Sequence, residues 1–98
     1  MTRQHITQLL SDNFEYLRKY YSVNKLWIFG SVARDQAGSQ SDIDILVDFS
    51  APASFDNYMD LKFYLQELLD RKVDLVTQKA LRPQVREEIE KELIDVPQ

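Results

Sequence analysis

Residues 30–47 read GSVARDQAGSQSDIDILV, and the two ends of this stretch decide how the chain is built. Gly30 closes a short apolar run, Leu26-Trp27-Ile28-Phe29, which reads as a buried strand ended by a glycine. Asp42-Ile43-Asp44-Ile45-Leu46-Val47 reads as a second strand: Ile43, Ile45 and Val47 share one face, and Asp42, Asp44 and Leu46 share the other. Between them, Ser31 to Ser41 is polar and irregular, with one helical turn expected around Ser31 to Asp35.

Two aspartates two residues apart in a strand leave from the same face, their Cα atoms about 6.6 Å apart. Catalytic metal pairs sit about 3.5–4 Å apart, so two such carboxylates can converge on a pair, one of them bridging. Hard oxygen donors select Mg²⁺, with Mn²⁺ as the alternative, over zinc. A third carboxylate should come from a neighbouring strand about 4.8 Å away. Asp74 meets that need, because it interrupts the apolar run Val73-Asp74-Leu75-Val76. An ionised group there is costly unless it faces a cleft or a cation.

The other end of the stretch suits phosphate. Gly30 lets the backbone turn sharply and approach a ligand. Ser31 opens a helical turn whose free N–H groups suit phosphate oxygens, and Arg34, one turn on, supplies positive charge or serves as a surface cation. The chain's two glycines, Gly30 and Gly38, both fall in this stretch. Among neighbouring polar residues, Ser41 reads as a turn hydrogen-bonder, Asp48 as a solvated strand end, and His5 as non-catalytic.

Before this stretch, Ile6, Leu9, Leu10, Phe14, Leu17 and Tyr20 recur at three- and four-residue steps and predict one amphipathic helix from Arg3 to Tyr21. After it, Ala51-Pro52-Ala53-Ser54 breaks the second strand and caps a helix over Phe55 to Asp70, whose face is Phe55, Tyr58, Leu61, Leu65, Leu68 and Leu69. Met59, Phe63 and Tyr64 lie outside that stripe, as added core or as an apolar patch for a partner. Val73 to Val76 is a third strand. Pro83 suits the first turn of a last helix with the stripe Val85, Ile89 and Leu93, and Arg86–Glu90 and Glu87–Lys91 are surface pairs. The order α-β-β-α-β-α predicts an α/β (α+β) domain spanning residues 1–98, a small mixed sheet flanked by helices.

Composition narrows the function. With 98 residues, 44% hydrophobic and 29% charged, the chain is ordinary for a globular domain. A net charge of −4 argues against direct nucleic-acid binding and means that a polyphosphate would need cations to be held. No apolar run approaches a membrane span, and MTRQHITQLL has no leader-like core. Cytoplasm is the expected compartment. The absence of cysteine excludes disulfides and thiolate metal sites.

The Gly-Ser, spacer, Asp-x-Asp string resembles the signature of the nucleotidyltransferases of the DNA polymerase β superfamily, and the full stretch is similar to the minimal nucleotidyltransferases, small prokaryotic proteins of this length. The likeness runs from the first helix through VDLV to the last helix. It implies a polymerase-β-like core in which Asp42, Asp44 and Asp74 are catalytic and bind two Mg²⁺ ions, and in which Gly30-Ser31 grips the triphosphate. Asp35 stands where the family often has glycine. Such proteins are usually encoded beside a HEPN-domain protein, a small helical ribonuclease toxin. The resemblance therefore implies an antitoxin that moves AMP from ATP to a partner tyrosine. Two other readings stay open, a non-catalytic module that neutralises by occlusion and a transferase for small hydroxyl compounds.

Overall fold

The sequence divides where its hydrophobic phase slips. In this computed structural model, which describes residues 2–34 and 41–98, the expected first helix is two: α1, Arg3–Asp12, and α2, Phe14–Tyr21. Asn13 makes the break. Its backbone leaves helical geometry, and its side-chain amide donates to the Leu9 carbonyl at 2.8 Å, the local competition with helix bonding that asparagine favours. The break re-phases α2. Phe14 and Leu17 are buried and Tyr21 packs on the core, whereas Tyr20, expected inside, is 58% exposed.

Strand β1, Val23–Phe29, begins three residues earlier than expected and is followed by a single turn, α3, Gly30–Ala33. Strand β2 is Ile43–Phe49. Helix α4, Phe55–Leu69, is capped by Ser54, whose hydroxyl accepts from the Asn57 N–H at 3.1 Å, as expected of a serine at that position. Burial fades toward the start of α4: Leu61 is fully buried, Tyr58 half-buried and Phe55 74% exposed, so Phe55 is in phase with the stripe but overhangs the core.

Strand β3, Val73–Thr77, leads through a 3₁₀ turn, Gln78–Ala80, to α5, Pro83–Glu90, with Pro83 in its first turn. Helix α5 buries no residue and ends before Leu93. A further strand, β4, Ile94–Asp95, then pairs with β1 and was not expected. Two residues are too few to show a period, but Val96 beyond them is buried and donates its N–H to the Leu26 carbonyl at 3.0 Å.

The sheet runs β3-β2-β1-β4. β1 is antiparallel to both β2 and β4, and β2 is parallel to β3. The expected mixed sheet with flanking helices is therefore present. One apolar cluster joins Ile6 and Leu10 of α1, Phe14 and Leu17 of α2, and Leu61, Leu65 and Leu69 of α4 to Ile28, Ile43, Ile45, Val47, Val73 and Leu75 of the strands. Tyr64 belongs to this core, stacked on Tyr16 with ring centroids 5.0 Å apart. Its neighbour Phe63 is exposed. Among the described residues, no helix is long and apolar enough to cross a membrane.

Candidate active site

Register brings the motif together. The β1–β2 pairing sets Phe29 opposite Asp44, so the Gly30 turn leaves β1 beside the start of β2. Gly30 has φ +72°, a left-handed conformation that favours glycine. A Cβ built there would fall 2.1 Å from Oδ2 of Asp44. Glycine is thus required twice, by the turn and by the carboxylate resting on it. Ser31 comes next, half-buried, and the Arg34 N–H closes the turn on the Gly30 carbonyl at 3.2 Å. From α1, the Arg3 guanidinium donates to the Ala33 carbonyl at 2.8 Å and so ties the end of α3.

The parallel β2–β3 pairing sets Asp44 directly opposite Asp74, about 4.8 Å away along the sheet. Asp42 lies just before β2, exposed. Burial pushes the Asp44 carboxyl up to about 6, and the negative charges of Asp74 and Asp42 and a side-chain hydrogen bond with Asp74 push in the same direction; the Arg34 charge opposes them. The three acids are therefore close enough to feel one another. Among the described residues, no three acidic, imidazole or thiol side chains are gathered as a ready-made metal cage. The donor set nonetheless suits a hard dication, being oxygen-only, net negative and partly desolvated.

Of the expected site residues, Gly30, Asp44 and Asp74 come together, Asp42 flanks them, and Ser31 and Arg34 belong to the adjoining turn. Arg34 forms an ion pair with Glu92 at 2.7 Å, and its charge reaches Asp44. Asp48 stands apart and accepts from the Asn24 amide at 2.9 Å. Asp35 and Gly38 lie outside the described residues.

Three residues not expected at the site hold the backbone beside the acids. The Arg71 guanidinium donates to the Ser41 carbonyl, next to Asp42. The Gln66 side-chain oxygen accepts from the Val73 N–H at 3.1 Å, and the Tyr58 hydroxyl donates to the Leu75 carbonyl. Tyr58 has its pKa raised by burial first and then by the Asp74 charge, which places it within range of that carboxylate. Tyr58 reads as core from its spacing, and nothing in the sequence pairs Arg71 with Ser41.

The model of the nucleotidyltransferase domain family matches residues 10–96. The chain belongs to that family. A relative provisionally named protein adenylyltransferase MJ0126, from Methanocaldococcus jannaschii, is 39% identical over 95% of this chain and 96% of its own length. Protein adenylyltransferase MntA from Thermococcus cleftensis is 33% identical over 98% of this chain and 97% of its own. A solved structure provisionally named a minimal nucleotidyltransferase superposes with a TM-score of 0.81 at 31% identity, covering 96% of this chain and 95% of that one. This nucleotidyltransferase is thus matched along nearly its whole length.

Proposed function

We propose that this nucleotidyltransferase transfers AMP from ATP to a tyrosine hydroxyl of a HEPN-domain partner protein, acting as the antitoxin of a toxin–antitoxin pair. The observation that carries the reading is the in-register Asp44–Asp74 pair, with Asp44 resting against the Gly30 turn: a cluster of acids and a glycine turn meet at one end of the sheet. The proteins named protein adenylyltransferase support the reaction. A more distant solved structure, a tri-AMPylated Shewanella oneidensis HEPN toxin in complex with MNT antitoxin, is 21% identical with a TM-score of 0.66 and covers 92% of this chain. At that identity the likeness carries the fold, and the partner is our reading.

In this mechanism Asp42 and Asp44 would hold two Mg²⁺ ions and Asp74 would complete one of the sites. When bound, such ions offset the triphosphate charge and make the acceptor hydroxyl more acidic. The Gly30-Ser31 backbone N–H groups and the Ser31 hydroxyl receive the β- and γ-phosphates, and Arg34 adds positive charge beside them. Asp74 accepts the proton of the tyrosine hydroxyl as its oxygen attacks the α-phosphorus. The bond from the α-phosphorus to the bridging oxygen breaks, and pyrophosphate leaves on the Gly30 side.

Intact-mass measurement of the partner after incubation with this protein, ATP and Mg²⁺ tests the proposal. Each transfer adds about 329 Da, one AMP less water. A toxin that is silenced with no mass change, and silenced equally by Asp44→Asn, would instead establish neutralisation by occlusion.

A further inference from the structure

Asp74 sits on β3, the outermost strand of its side of the sheet. An edge strand leaves a row of N–H and C=O groups without a neighbouring strand. Alternate residues of a strand turn those groups to the same side, so Val73 and Leu75 present theirs together, while Asp74 between them points its own the other way. Helix α4 meets the outward pair with two polar side chains. The Gln66 oxygen accepts from the Val73 N–H at 3.1 Å, and the Tyr58 hydroxyl donates to the Leu75 carbonyl. These contacts bracket Asp74 on either side. They come from residues eight positions apart on one rigid helix, about 12 Å along its axis. The apolar face of the same helix, Leu61, Leu65 and Leu69, is fully buried, which fixes the helix against the sheet.

We infer that Tyr58 and Gln66 are positioning residues for Asp74: together they stand in for the missing neighbour strand and set where β3 lies beside β2. The inference rests on the proposed transfer reaction, in which Asp74 works against Asp44 across the β2–β3 pairing. A slip of β3 would separate the two carboxylates without touching the Gly30 turn that receives the triphosphate. The expected signature is therefore a fall in turnover with little change in ATP binding.

The test uses Tyr58→Phe, which removes the donor to Leu75, and Gln66→Met, which removes the acceptor for Val73. Each should lower kcat for adenylyl transfer on the order of ten-fold, as small misplacements of catalytic groups do, with KM for ATP held within about two-fold. Amide hydrogen exchange in metal-free protein gives a reading independent of activity: the Val73 amide should exchange about ten-fold faster in Gln66→Met than in wild type, with the core amides of Leu10 and Leu17 unchanged. Wild-type kcat in both variants overturns the inference, as does a parallel loss of kcat, KM and core protection, which marks general unfolding. If wild-type protein transfers no nucleotide, the proposed function fails by itself. The exchange comparison then decides the clamp alone, and equal Val73 rates in the two proteins refute it.

Discussion

Replacing Asp44 by asparagine removes the most strained charge of the acid cluster while keeping its shape, so it separates electrostatics from packing. The Asp44 carboxyl stands at about 6 in the folded protein against an ordinary 3.8. Because the folded value is the higher, the native state keeps a proton over this window that the unfolded chain has released. Wild-type stability from this group is therefore greatest below about pH 4 and falls as pH rises toward and through 6. The gap of about two pH units corresponds to about 3 kcal/mol. Asp44 is only half-buried, and screening by solvent roughly halves that, leaving about 1.5 kcal/mol. In EDTA at pH 7.5, Asp44→Asn should therefore melt about 5–10 °C above wild type, given the sensitivity of a domain this small. The difference should shrink through pH 6 and nearly vanish near pH 4. Thermal unfolding of both proteins across that range, followed by circular dichroism, is the assay. An Asp44→Asn midpoint equal to or below wild type at pH 7.5 would refute the claim that burial and the neighbouring carboxylates together penalise the Asp44 charge in the metal-free fold.

Three further outcomes are expected at the same site. Mg²⁺ binding should expel the proton held at Asp44, about half a proton per protein at pH 6 and none at pH 8, measurable by calorimetry in buffers of different ionisation heat. Gly30→Ala should cost about 1–2 kcal/mol, because alanine is strained at φ +72° and its methyl meets the Asp44 carboxylate. The double variant Gly30→Ala/Asp44→Ala should recover part of that loss, a non-additivity readable in denaturant melts. Arg34→Ala breaks an exposed ion pair with Glu92 and should cost at most about 0.5 kcal/mol, while steady-state kinetics should show KM for ATP rising on the order of ten-fold from the lost phosphate contact.

Much of this arrangement is legible in the sequence because strand periodicity is strict. Once Asp42 and Asp44 are placed on one face and Asp74 on a neighbouring strand, their proximity results from two-residue repeats and the spacing between strands. Gly30 is legible for a similar reason, since a glycine at the end of an apolar run has few other roles. The residues that hold Asp74 in place are not. Tyr58 has the spacing of a core residue, and its hydroxyl's partner depends on how α4 lies along the β3 edge, a tertiary relation that no local pattern records. The Asn13 break is hidden for a different reason. The apolar steps continue across it, and the side chain that closes on Leu9 is chemically ordinary until the phase of Tyr20 and Tyr21 is known. Strand β4 is too short to have a pattern, and it forms because β1 offers it an edge and Val96 a buried anchor.

Whether these aspartates serve nucleotidyl transfer to a protein hydroxyl is decided by the fate of each phosphate of ATP. The protein is incubated with the proposed HEPN-domain partner, Mg²⁺ and ATP labelled at either the α- or the γ-phosphate. The α-label should become covalently bound to the partner and the γ-label should be released as pyrophosphate, and Asp44→Asn should abolish both. Transfer of γ-label to the partner would make the reaction a phosphorylation, and covalent α-label undiminished in Asp44→Asn would remove the carboxylate cluster from the chemistry.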